Sequence, residues 1–209
     1  GRPPIGLSLR GEKAFLVGVN IGVSQVHIGA ATVDGSILAE ERFPTAHEPE
    51  IAMAEIRTAV ERLSVRLPAR SLAVVGISVV GPTDSEQSKL LYAPHLGWRD
   101  ISVARLLNLD VPVLVENNAT AAAVYESQRR RRQSATKTAG YFVVVRAGTG
   151  IGVGLVLGGE VFRGTTGADI AGEFGHVPLS LDGPRCSCGA NGCWEAYISN
   201  RATLARYFG

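Results

Sequence analysis

Cysteine is scarce, apolar runs are short and the charges nearly cancel, and each of these shortages excludes a class of protein. No stretch approaches the roughly 18 uninterrupted apolar residues that a helical membrane span needs. The opening Gly1-Arg-Pro-Pro4 has neither the charged nor the apolar region of a signal peptide. The expectation is a soluble, cytoplasmic protein. Twenty-one Lys and Arg against nineteen Asp and Glu leave a net charge of +2, which gives this segment no general electrostatic grip on nucleic acid. Any contact with DNA would come from another part of the protein. The three cysteines all fall between Cys186 and Cys193. An odd number crowded into so short a stretch suits a metal site in a reducing compartment better than a disulfide framework.

What is present is apolar material, 45% of 209 residues, enough to bury a core in one domain or in two lobes that share a cleft. Residues Gly1 to Gly11 mix Gly, Pro and Arg without a period and read as a linker. Beyond Lys13 the pattern predicts strands over Phe15–Gly22, Val26–Val33 and Ser36–Phe43, with Asp34-Gly35 as the hairpin turn between the last two. Pro49 is placed to open a helix whose apolar positions, Ala52, Ile56, Ala59, Val60, Leu63 and Leu67, recur at three- and four-residue spacing before Pro68. A strand over Leu72–Val80, a short helix around Val103–Leu107, a strand over Val111–Val115 and a helix from Ala119 to about Gln128 complete a first α/β lobe, residues 13–128. Strands at Tyr141–Val145, Ile151–Leu157 and Glu160–Phe162, joined by glycine turns, repeat the opening meander and begin a second lobe, residues 139–209. Two such lobes around a cleft form the actin-like, ribonuclease-H-like α/β arrangement. The run Arg129–Arg132 reads as a solvated helix end whose cations complement the helix dipole, the alternative being a contact with DNA or a partner.

Two constellations carry chemistry. His176 followed by Cys186, Cys188 and Cys193 supplies one imidazole and three thiolates, the four tetrahedral donors zinc prefers. Gly189 and Gly192 allow the tight turns between them. With four protein ligands no position is left for a catalytic water, so the zinc would be structural. The second constellation is Arg146-Ala-Gly-Thr-Gly-Ile-Gly-Val-Gly154. It reads either as a backbone cradle for an anion or as a well-made hairpin.

Taken in order, Val19-Asn-Ile-Gly-Val-Ser-Gln25, Gly76-Ile-Ser-Val-Val-Gly-Pro82, Ala93-Pro-His-Leu-Gly-Trp98, Val115-Glu-Asn-Asn-Ala119, Gly148-Thr-Gly-Ile-Gly152, Ala171-Gly-Glu-Phe-Gly-His176 and the cysteine segment running into Trp194-Glu195 resemble the ROK family. That family comprises sugar-responsive repressors, open reading frames and sugar kinases. The resemblance implies a sugar site between the lobes, with His95, Asn117 and Asn118 on one side and Glu173, His176 and Glu195 on the other. Carboxylates and amides so placed pair with sugar hydroxyls and discriminate between epimers. Asn20, Gly22, Gly148, Thr149 and Gly150 fall where the kinases hold nucleotide phosphates. Glu173 also reads as an ordinary strand-end or helix-cap carboxylate, and Glu195 as a charge at a helix N-terminus.

The departures from the kinase pattern point to a sensor. Asn118 stands where the kinases carry the Asp that deprotonates the attacking hydroxyl, and losing a positioned general base costs on the order of 10²–10⁴ in rate. Asn20 replaces an Asp that helps hold magnesium, Val23 replaces a glycine, and Ser24-Gln25 replace a Thr-Lys pair. His95 stands where an Asn is usual. The opening Gly1-Arg-Pro resembles the segment by which ROK repressors leave an N-terminal winged helix-turn-helix domain. The expectation is therefore a fragment: the effector portion of a dimeric or tetrameric regulator, with operator DNA bound through a domain before it and about a third of the effector domain after it. An ATP-dependent hexose kinase and a non-sensing dimerisation module are the alternatives.

Overall fold

A computed structural model describes residues 13–133, 140–164 and 170–208. The expected linker, residues 1–12, lies outside the described residues. Strands β1 (Ala14–Ile21), β2 (Gln25–Ala31) and β3 (Ile37–Pro44) form the expected antiparallel meander. β4 (Ser71–Val79) and β7 (Val113–Asn117) add in parallel to give the order β3-β2-β1-β4-β7. Alternation sorts the two faces: Phe15, Val17, Val19 and Ile21 on β1 are buried with Val75, Ile77 and Val79 on β4. Asn20 and Ser78 project from the opposite face, where they are register partners.

Helix α1 (Pro49–Arg66) covers the core face. Its Pro49 occupies the first turn, where the missing N–H has no acceptor to disappoint, and Ala52, Met53, Ile56, Ala59, Val60 and Leu63 are all buried. The short α2 (Val103–Leu107) packs beside it and against β7. A hairpin of β5 (Leu90–Ala93) and β6 (Trp98–Ile101), not anticipated from the sequence, leaves this layer at the cleft end. Its Trp98 indole donates to the His47 carbonyl oxygen at 2.6 Å. Four-residue strands around a Pro-His-Leu-Gly turn are too short to show an alternation.

Helix α3 (Asn118–Gln133) joins the lobes. It touches β4 and β7 on one side and β8 (Phe142–Ala147), β9 (Ile151–Leu157) and β10 (Glu160–Phe162) on the other. The last three form an antiparallel sheet, order β10-β9-β8, which repeats the first meander as expected. The sequence expectation ended α3 about a turn early and placed β7 two residues early; the observed β7 carries Glu116 and Asn117 inside the strand. Of the arginine run, Arg129 and Arg130 pair with Glu126, and Arg131 reaches Glu160 and the Gly159 carbonyl. These side chains are about half exposed, so the pairs add little stability. Helices α4 (Glu195–Ile198) and α5 (Asn200–Phe208) close the described chain.

The core face of α1 sets the stability of the first lobe. Ile56→Ala is expected to lower the unfolding free energy by about 2–5 kcal/mol, measured by urea denaturation. The half-exposed Ile51→Ala should stay within about 1 kcal/mol.

Candidate functional site

The lobes enclose a cavity of about 280 Å³. From the first lobe it is lined by Asn20, Gly22, Val23, His95, Asn117 and Asn118. From the second come Arg146, Gly148, Thr149, Gly150, Glu173, His176 and Glu195. All eleven residues singled out from the sequence for the sugar and phosphate positions thus face one cleft.

Each polar wall follows from local structure. On the first-lobe side, the Ser78 hydroxyl donates to Asn20 Oδ1 at 2.9 Å, which fixes that amide. Asn117 ends β7 and caps α3: its Oδ1 accepts the Ala119 and Thr120 N–H groups at 2.8 and 3.2 Å, and its Nδ2 donates to the Gly81 carbonyl at 2.9 Å. One amide hydrogen of Asn117 is left for a ligand. Asn118, the first residue of α3, has no side-chain hydrogen bond among the described residues and is open to the cavity.

Glu195, in the first turn of α4, gathers the second-lobe side. Its Oε2 accepts the Ile151 N–H at 2.8 Å; its Oε1 meets the His95 Nε2 at 3.2 Å from across the cleft and accepts the Ser187 hydroxyl at 3.2 Å. Burial pushes this carboxyl up, but the His95 and Ile151 hydrogen bonds and the nearby His176 and His95 charges outweigh it and hold Glu195 below the usual carboxylate range. Glu173, in the 3-10 turn Glu173–His176, lacks such donors. Burial dominates there, reinforced by the Glu195 charge and opposed by His176, and its carboxyl lies above the usual range.

His176, Cys186, Cys188 and Cys193 place one ligand atom each within 4.8 Å of one another, a cluster able to hold a metal ion. Cys186 Sγ lies 3.6 Å from His176 Nδ1, and Cys188 Sγ 3.7 Å from Cys193 Sγ. Burial, then the hydrogen bonds and charges of the neighbouring Cys188 and Cys186 sulfurs, push the Cys193 thiol up to about 12. The turns between the ligands use the two glycines expected from the sequence, Gly189 and Gly192, at φ 98° and 68°. With Nδ1 facing the sulfurs, His176 turns Nε2 toward Glu173 Oε2 at 3.6 Å, so one ring joins the metal cluster to the cleft.

Sequence reasoning gave no role to Glu116. Its Oε2 accepts Arg163 Nε and Nη2 at 3.0 and 2.8 Å and Gln87 Nε2 at 2.7 Å, and its Oε1 accepts the Asn117 N–H at 3.1 Å. This buried carboxylate ties the second lobe to the strand that carries the two Asn residues. A lone Glu ending an apolar strand was the available signal, since such a charge needs a cation.

A two-lobed α/β cleft of this topology defines the actin-like, ribonuclease-H-like sugar-kinase fold. The family model described as "ROK family" matches residues 16–208, and the chain belongs to that family. A xylose repressor from Bacillus subtilis (strain 168) is 31% identical over 209 residues, 98% of this chain and 53% of the repressor. A glucokinase from Streptomyces coelicolor is 35% identical over 193 residues, 91% of this chain and 58% of the glucokinase. Among solved structures, a ROK family glucokinase from Streptomyces griseus in complex with glucose and AMPPNP superposes with TM-score 0.77 at 32% identity, over 93% of this chain and 60% of that one. A ROK family transcriptional regulator, homologous to the E. coli Mlc protein, shares the fold with TM-score 0.78 at 24% identity, over 98% of this chain and 52% of that one. The chain thus spans a little over half the length of these relatives. No described helix is long and apolar enough to cross a membrane.

The two adjacent Asn residues should respond differently to truncation. Asn117→Ala removes a helix cap and is expected to cost about 1–2 kcal/mol in urea denaturation, whereas Asn118→Ala should stay within about 0.5 kcal/mol.

Proposed function

We propose that this chain is the sugar-binding effector portion of a ROK-family transcription regulator, built on a kinase fold that no longer transfers phosphate. One observation carries the reading: the first-lobe wall of the cleft offers the amides Asn20 and Asn118 and the bulk of Val23, and no carboxylate among the described lining residues. Phosphoryl transfer to a sugar needs an acidic group to take the hydroxyl proton and another to help hold the magnesium–nucleotide complex. An amide cannot take the proton, and it brings no negative charge to the metal. The cleft's two carboxylates lie on the opposite wall, where Glu195 is fixed by three donors and Glu173 stands beside His176. That wall suits hydroxyl recognition: carboxylate oxygens accept from vicinal hydroxyls, and His95, Asn117 and Asn118 face them with donors.

His176, Cys186, Cys188 and Cys193 would hold a structural zinc. Zn–S bonds of about 2.3 Å and a Zn–N bond of about 2.0–2.1 Å at tetrahedral angles set sulfur pairs about 3.8 Å apart and a sulfur–nitrogen pair about 3.6 Å apart. The Cys188–Cys193 and Cys186–His176 separations of 3.7 and 3.6 Å fit that donor set. The ion would supply cross-linking charge and no reactive water. The residues themselves orient His176 toward the cleft and carry the turn that leads into Glu195.

In the regulator, a sugar bound between the lobes would alter the placement of DNA-binding heads supplied by a separate domain of a homodimer or homotetramer, in the cytoplasm. The glucokinase relatives favour the competing reading, an ATP-dependent hexose kinase, because they match as strongly as the repressors. A coupled ATPase assay separates the two. The regulator is expected to show no sugar-dependent turnover while binding a sugar by calorimetry, and turnover near about 1 s⁻¹ would sink the proposal. A silent calorimetric panel would point instead to a dimerisation module without a ligand.

The metal site has its own test. Elemental analysis should find zinc in stoichiometric amount. Cys186→Ser or prolonged chelation should remove it and lower the melting temperature by several degrees or more. A protein of unchanged melting temperature after complete zinc loss would contradict a structural role.

A further inference from the structure

Arg146 is a cation facing the cleft with no hydrogen bond or ion pair among the described residues. Its position follows from the sheet. On β8 the half-buried Phe142 lies under the Arg130 guanidinium of α3, 4.3 Å from the ring centroid, so the face shared by Phe142, Val144 and Arg146 looks toward α3. Arg146 is the register partner of Gly152. A Cβ on Gly152 would stand 2.9 Å from the Ala119 Cβ and 3.5 Å from Asn118 Oδ1. Cross-strand partners project to the same side, so Arg146 rises beside the first turn of α3, next to Asn118.

The charges around it are asymmetric. Glu195 is committed to Ile151, His95 and Ser187, and Glu173 to the His176 side. On the first-lobe wall the polar lining includes the neutral amides of Asn118 and Asn20 and no carboxylate among the described residues. A carboxylate at either Asn position would neutralise the guanidinium or repel a bound anion; an amide does neither. The planar, permanently charged fork of arginine matches phosphate and carboxylate oxygens in pairs. A ligand that carries its own negative charge pairs with this exposed guanidinium more strongly than a neutral hydroxyl, which can only accept an ordinary hydrogen bond from it.

We propose that the ligand of this cleft is an anionic sugar, a phosphate ester or a sugar acid, whose charged group is read by Arg146 while its hydroxyls face the Glu195 wall. This rests on the sugar-binding reading above and adds that Arg146 determines specificity. It also gives the Asn20 and Asn118 substitutions a common sense, since both keep negative charge away from the place where the ligand brings its own.

Isothermal titration of the zinc-loaded full-length protein with glucose, xylose, glucuronate, glucose 6-phosphate, xylose 5-phosphate and inorganic phosphate tests it. At least one phosphate ester or the uronate should bind roughly tenfold to a hundredfold more tightly than its neutral parent, the scale of a charge-assisted hydrogen bond. That preference should shrink with added salt. Arg146→Gln should abolish it while leaving the melting temperature unchanged, and Arg146→Lys should recover part of it. A phosphate-ester arm and a uronate arm that differ identify which anion is read. Equal or tighter binding of the neutral parents, or a preference for anions that survives Arg146→Gln, overturns this proposal and leaves sugar sensing intact. Silence from every compound overturns both.

Discussion

The width of the cleft depends on one close crossing, that of β9 over the first turns of α3. A Cβ at Gly154 would press on the Ala119 carbonyl at 2.5 Å and on the Ala123 side chain at 2.6 Å; one at Gly152 would meet Ala119 at 2.9 Å. Strand and helix therefore touch backbone to side chain with nothing between them. The contact carries through the structure because α3 belongs to both lobes. Its capping residue ends the last strand of the first sheet, and its body packs on the second. Any side chain at these two glycines would push the lobes apart and carry Asn118 away from the opposite wall.

A second tie explains how the cysteine loop, distant in sequence, shapes the cleft. Glu195 follows Cys193 by two residues and is buried, a costly position for a carboxylate unless donors surround it. Ile151 supplies one from the strand, Ser187 one from between the cysteines, and His95 one from the other lobe. The loop bounded by Cys186 and Cys193 is thus the frame that aims the acid, and the acid is the point where both lobes and the loop meet. Disturbing Cys186 or Cys193 would displace a cleft residue at second hand, whereas Cys188 lines the cleft itself.

Much of this was legible in the sequence because local chemistry and global fold agree. The buried α1 positions, the three-strand meanders and the His-Cys-Cys-Cys cluster each follow from spacing and side-chain type. What escaped reading depends on partners far away in the chain. Nothing near Asn117 distinguishes a hydroxyl-binding amide from a helix cap, because the cap needs the end of β7 to abut α3 and the Gly81 carbonyl to be within reach. Glu116 looked like any strand-end acid until Arg163, 47 residues on, arrived beside it. The glycines of the 148–154 segment suggested an anion cradle or a hairpin. Gly152 and Gly154 proved to serve the packing of α3, a requirement set by the second lobe meeting a helix of the first. The β5–β6 hairpin was invisible for a simpler reason, strands of four residues show too little alternation to be read.

The contacts that bridge the lobes also set what a ligand can accomplish. Besides α3, the described structure joins them through Glu116–Arg163 and His95–Glu195. In the first pair the Arg163 side chain is 42% exposed over a buried carboxylate, and in the second both His95 and Glu195 are largely buried. One tight helix crossing and two charged ties therefore set the separation of the two walls. A ligand shifts an equilibrium between arrangements only by the amount it prefers one of them. In the proposed sensor, groups that span the gap, with His95, Asn118 and Asn20 on one wall and Glu195 and Arg146 on the other, are therefore the ones through which binding would be felt beyond the pocket.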